Sequence, residues 1–200
     1  MTEEILAWHF TGDTLRVGRP IPSIGEWLVY DGDVRICKSG LHASERLIDA
    51  LQLAPGSILH RVTVRGEIER QDDKLVGRER RIEWSINAEP TLRAFTRRVA
   101  LDVAHLWDTP AIVREYLETG QEAIRSAAEA AARDAVMDAA GAAARDAARD
   151  AACAAAACAA RGAVMDAAWA AAWAAASAAA WDKYNAWLTE MVEAARAQEI

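Results

Sequence analysis

From Arg133 the chain can be cut every four residues: RDAV, MDAA, GAAA, RDAA, RDAA, CAAA, ACAA, RGAV, MDAA, WAAA, WAAA, SAAA. This constrains the fold more than any other feature. Alanine has the highest helix propensity, so residues 121–198 are expected to be helical. Yet a helix of this kind has little to bury. At about 100° per residue, a four-residue step overshoots a full turn by about 40°, so a tetrad stripe winds around the helix instead of holding one face. Either the tract breaks or it wraps a partner. A break is favoured, because Arg133-Asp-Ala-Val-Met-Asp-Ala-Ala140 returns as Arg161-Gly-Ala-Val-Met-Asp-Ala-Ala168, 28 residues later. Gly141 and Gly162 are its weakest helical points.

Large side chains are distributed unevenly along this tract. Taken at about 100° per residue, Cys158, Met165, Trp169, Trp173, Tyr184, Trp187 and Met191 fall within an arc of about 100°, with Trp181 and Leu188 beside it. Before Arg161, among the tract's apolar residues, only Ile124, Val136 and Met137 exceed alanine and cysteine in size. A tryptophan-bearing helix facing a small-residue helix is a complementary pair, so an antiparallel helical hairpin is expected. Trp169, Trp173, Trp181 and Trp187 are its candidate interface residues, for oligomerisation or for a protein partner. An ice-binding role would need spaced threonines, and none occurs between Gln121 and Leu188. A membrane-active role would need a cationic polar face, whereas acids outnumber bases here.

The first 110 residues are of another kind. Ile5–Phe10, Glu26–Tyr30, Val34–Cys37, Ile58–Val64 and Arg80–Ile86 read as strands, with Thr14–Val17 a short additional one. Asp31-Gly32-Asp33 has hairpin-turn chemistry and would pair the second of these strands with the third. Ser44 is placed to cap a helix from Glu45 to about Leu53. Pro90–Leu106 is amphipathic, and Pro110 suits the first turn of a further helix, capped by Thr109 or Asp108. Gly120 marks a break before the tract. The expected fold is α+β: a small, mostly antiparallel sheet with flanking helices over residues 1–110, then the alanine-rich helical hairpin over 111–200.

The net charge of −7 argues against nucleic acid as a partner. The arginines at 78, 80, 81, 97 and 98 read as solvated faces of a strand and a helix. No signal peptide opens the chain and no membrane span is expected, which points to the cytoplasm of a bacterial host cell. Cys37, Cys153 and Cys158 have no metal-binding spacing and read as free thiols; no metal site is expected.

Chemistry has few anchors. His60 and His105 read as packed or surface histidines. His42 lies at a strand-to-helix junction, where side chains and helix N–H groups can converge on an anion or carbonyl. Asp72-Asp73-Lys74 sits in a loop after the alternating strand. No Ser-His-Asp set, P-loop or dinucleotide glycine fingerprint is present.

LAWHF at 6–10, CKSGLHAS at 37–44, DALQLAPGS at 49–57, LHRVTVRGEI at 59–68, DDKLVGRERRI at 72–82 and ALDVAHLWD at 100–108 resemble a family of uncharacterised phage and prophage proteins. That family implies no activity, and it often ends in low-complexity repeats. A weaker similarity in layout is to small ADP-ribosyltransferases of the rifampin-modifying type. It implies NAD as cofactor and a cleft formed by His9, His42, Ser44 and Asp73. This chain carries Leu41-His42 where that type has a tyrosine, and Phe10 after His9 where it has glycine. The first expectation is therefore a phage-type, non-enzymatic interaction or assembly protein without a cofactor. The alternative is an NAD-dependent ADP-ribosyltransferase-like enzyme.

Overall fold

The computed structural model describes residues 3–15, 18–106, 108–138 and 178–199. Trp169 and Trp173, the second copy of the internal repeat and the middle of the expected hairpin lie outside them. The described residues are α+β. Five strands form one sheet: β1 (Glu4–Thr11), β2 (Trp27–Val29), β3 (Leu41–Ala43), β4 (Ile58–Arg70) and β5 (Leu75–Asn87). The helices are α1 (Leu47–Gln52), α2 (Glu89–Val103), α3 (Ala111–Thr119), α4 (Glu122–Asp138) and α5 (Ala178–Glu199). The chain divides into two compact units, Met1–Glu89 with Val192–Ile200, and Pro90–Met191.

In the first unit the strand order is β1-β4-β5-β2, every pairing antiparallel, and β3 joins the same edge of β5 as β2. Two long strands dominate because β4 and β5 are joined by a tight turn at 71–74, closed by the Gln71 N–H donating to the Lys74 carbonyl at 2.8 Å. The sheet then curls back on itself. Trp8 and Ser44 exchange two backbone hydrogen bonds of 2.7 and 2.9 Å, so the chain leaving β3 closes onto the free edge of β1. Inside the curl Ile5, Ala7, Ala43, Val62, Val64, Leu75 and Ile82 form a buried cluster.

Several local expectations are corrected here. Asp31-Gly32-Asp33 does not close a hairpin. Trp27–Val29 pairs with β5 instead, and residues 34–39 form a turn held by an Arg35–Ser39 bridge. The long edge of β5 offers more ladder bonds than a four-residue return strand. Arg78 also draws in the Tyr30 and Gly32 carbonyls at 3.0 and 3.1 Å. Thr14 and Leu15 are not in a strand. Ser44 does not cap α1: its backbone is engaged with Trp8, and the helix begins after Arg46 with no side-chain cap. Neither Thr109 nor Asp108 caps α3. Pro110 occupies the cap position, while the Thr109 hydroxyl donates back to the Ala104 carbonyl at 2.7 Å. Arg80 is not on a solvated face; it is 7% exposed.

β5 begins five residues earlier than its apolar pattern suggests, because Gly77 lies within it. A Cβ there would collide with Val64 Cγ1 and stand 3.3 Å from the Arg65 carbonyl oxygen. Gly77→Ala is accordingly expected to cost about 1–3 kcal/mol through overpacking. A thermal melt matching the parent protein would remove this account of the close approach.

In the second unit α2 runs into a single tight turn at Ala104–Leu106. Ala100, Val113, Tyr116, Leu117, Ala128 and Ala132 then form a small core with Ile112 and Ile124 at its margin. Alanines let α3 and α4 approach closely, and Gly120, at φ 67°, supplies the left-handed residue that ends α3. On α5, Tyr184 is buried and its hydroxyl donates to Asp102 Oδ2 at 2.8 Å, while Lys183 reaches the same oxygen. Trp187 lies under Arg98 at 4.0 Å and beside Lys183 at 4.9 Å. Trp187 is thus engaged within its own unit.

Candidate functional site

Antiparallel partners project to the same face of a sheet, so the register assigns the faces. The inner face carries four rows. Ile5 aligns with Val64, Arg80 and Leu28; Ala7 with Val62 and Ile82; His9 with His60 and Ser85; Thr11 with Ile58 and Asn87. Three of these rows are interrupted by polar groups in an otherwise apolar lining.

His9 and His60 stack, with ring centroids 6.2 Å apart and planes 26° from parallel. His60 is held on both nitrogens. Its Nε2 lies 2.9 Å from Thr11 Oγ1, and its Nδ1 lies 2.6 Å from Ser85 Oγ. The Thr11 hydroxyl donates to the Gly12 carbonyl at 2.8 Å, which leaves its oxygen to accept. Nε2 of His60 therefore carries the proton, and Nδ1 accepts from Ser85. Burial, then the nearby Arg80 charge, hold the His60 imidazole down at about 4. Burial likewise lowers His9 well below the usual histidine value, with Arg80, His60 and His42 adding to the effect. Both rings are neutral at pH 7.

Arg80 is the unusual member. Burial lowers its guanidinium to about 10, so it remains charged. Among the described residues its one hydrogen bond is Nη1 donating to the His42 carbonyl at 2.6 Å. No carboxylate among the described residues pairs with it, although buried cations are ordinarily paired. This is a fixed positive charge flanked by neutral imidazoles and hydroxyls. Such a set can bind an anion or polarise a carbonyl. It has no carboxylate to act as a base.

The four residues picked from the sequence separate. His9 lies within this cluster. His42 contributes its carbonyl to Arg80, while its ring Nε2 accepts from the Cys37 N–H at 3.1 Å. That bond steadies the one non-glycine residue with positive φ among those described, Cys37 at 62°. Ser44 is 1% exposed and serves through its backbone bridge to Trp8. Asp73 is elsewhere, in the β4–β5 turn, 3.5 Å from Lys74. Ten steps along β4 separate His60 from Arg70, about 33 Å of strand at ~3.3 Å per residue. His60, Arg80, Thr11 and Ser85 were missed. The available signal was phase: His60 alternates in step with Val62 and Val64, which puts its side chain on their face.

The outer face is built differently. Arg65 lies over the Trp27 ring at 3.7 Å and Arg81 over the same ring at 4.7 Å. Arg65 is fixed by Glu79 at 2.8 Å and Glu4 at 3.3 Å, and Arg81 by Glu83 at 2.9 Å. Arg61 lies over Trp8 at 4.1 Å, Trp8 meets Trp84 edge-on at 5.7 Å, and Arg196 lies over Trp84 at 4.6 Å. Leu6 and Val29 are about half exposed on this face, at 52% and 51%.

Among the described residues no group of histidine, cysteine, aspartate or glutamate could hold a metal ion, and no helix is long and apolar enough to cross a membrane. Residues 5–94 match a family described as a domain of unknown function (DUF7666). The match takes in all of the sheet but Glu4, and the first residues of α2. Comparison with curated proteins and with solved structures gives no match.

Proposed function

We propose that the chain is a phage-type interaction protein that works by binding and self-association, not by catalysis. The sheet unit is its docking head, and the alanine- and tryptophan-rich region, with Trp169, Trp173 and Trp181, is its association segment. The observation that carries this reading is the outer face of the sheet. Two arginines that are themselves fixed by carboxylates lie over the Trp27 ring, with exposed Leu6 and Val29 alongside. Tryptophan and arginine dominate interface hot spots, and side chains already fixed lose little entropy on docking. Light scattering over rising concentration is expected to give a mass above the 21.7 kDa of one chain. A monomer at every concentration would remove the self-association reading.

The alternative is an NAD-dependent ADP-ribosyltransferase-like enzyme. It is favoured by the shared charged neighbourhood of His9 and His42. Against it stands Asp73, which lies at the β4–β5 turn and so does not supply that neighbourhood with a carboxylate. A thermal-shift titration decides: no rise in melting temperature at millimolar NAD would end this alternative.

A further inference from the structure

On the inner face of the curled sheet, we propose a binding site for a phosphate group, centred on the Arg80 guanidinium and bordered by the rings of His9 and His60. Three observations converge. Arg80 is 7% exposed, and only one of its nitrogens is bonded, to the His42 carbonyl. The buried nitrogens left without any partner belong to other residues, so the remaining Arg80 N–H groups still touch solvent.

The surroundings suit an oxyanion. The groups acting electrostatically on His9 are Arg80, His60 and His42, with no acid among them. The same face is lined by Ala7, Val62 and Ile82, which lower the local dielectric and strengthen any charge pairing made there. The carboxylates flanking Arg80 in sequence belong to the outer face: Glu79 pairs with Arg65, and Glu83 with Arg81. A planar guanidinium with free N–H groups matches two oxygens of a phosphate at once. A chain of net charge −7 has thus kept one buried cation clear of the acids among its described residues. The desolvation this costs is offset when a ligand supplies the missing negative charge.

The site is testable apart from any enzymatic or assembly reading. Inorganic phosphate, titrated into the full chain at constant ionic strength with chloride as reference, is expected to move the imidazole proton resonances of His9 and His60 saturably. Arg80→Met is expected to weaken the response at least ~10-fold, the loss of a charge-assisted pair. His9→Gln, at a partly exposed position, serves as the second variant if Arg80→Met does not fold. It should keep the sheet, by circular dichroism, and bind phosphate more weakly. ADP in a parallel titration separates the sources. Tighter binding than phosphate supports the site and assigns it to a nucleotide; equal or weaker binding with phosphate still saturating supports it as a site for the free ion. Absence of a saturable response to both probes would overturn the proposal, as would a folded Arg80→Met that binds like the parent.

Discussion

Tyr184→Ala is expected to lower the unfolding free energy of the helical unit by about 3–5 kcal/mol, the usual cost of deleting a buried aromatic ring. Tyr184 is 1% exposed and heads the fully buried side chains by volume. Its hydroxyl is committed as well. Burial, and then the bond to Asp102, push its ionisation upward. Burial alone would raise Asp102, but the bonds from Lys183 and Tyr184 outweigh it and hold the carboxyl below its ordinary range. Tyr184→Phe should therefore cost about 1.5–3 kcal/mol, the worth of a hydrogen bond to a charged group, with packing kept. Trp187, 5.7 Å from the Tyr184 ring, provides a fluorescence reporter in urea titrations. If both variants lose the same amount, the ring itself contributes nothing beyond its hydroxyl, and this description of the unit is wrong.

The second large effect is acid sensitivity of the sheet unit. His60 titrates at about 4 when folded and near 6.5 when unfolded. Between those values the unfolded chain binds the extra proton, so stability rises with pH. The contribution is complete above the unfolded value and is lost as pH falls through the window from 6.5 to about 4. At 1.36 kcal/mol per pKa unit this amounts to roughly 3 kcal/mol. His9 acts in the same direction. Glu83, held low chiefly by the bond from Thr63, adds a further loss as pH falls through its folded value. His60→Gln keeps an amide to meet Thr11 and Ser85 but cannot take up the proton. Its stability should fall less steeply than that of the parent between pH 6.5 and 4.5. Parallel curves for the two proteins would show that His60 is not held neutral.

Much of the architecture was legible because it depends on patterns that tertiary contacts do not override. The alternation from Ile58 to Val64, the helical spacing of Leu92, Phe95, Val99 and Val103, and the turn at Asp72-Asp73 all survive in the structure. What misled was local chemistry in competition with a distant edge. Asp31-Gly32-Asp33 is a good hairpin signal, but β5 presented Glu79–Arg81 to Trp27–Val29, and those pairs prevailed. Ser44 is a good capping residue, but the edge of β1 claimed its backbone.

The site was partly hidden for a related reason. Arg78, Arg80 and Arg81 look alike in sequence. A strand separates Arg80 from Arg81 onto opposite faces, and only the register with Val64 reveals that Arg80 points inward. His9 enters only through the resemblance in layout, and His60, aligned with it across 51 residues, cannot be joined to it without the pairing.

Val192–Ile200 belongs to the sheet unit: Val192 is fully buried, Glu193 acts on Arg61, and Arg196 covers Trp84. The alanine tetrads are therefore an insertion between two parts of one folding unit and not an appendage trailing from a finished one. During synthesis the sheet must wait for its last contacts until every tetrad has been translated. Any gain or loss of tetrads by slippage alters the delay before the head is complete. Because the entropy of closing a connection grows only with the logarithm of its length, such changes would bear lightly on its final stability.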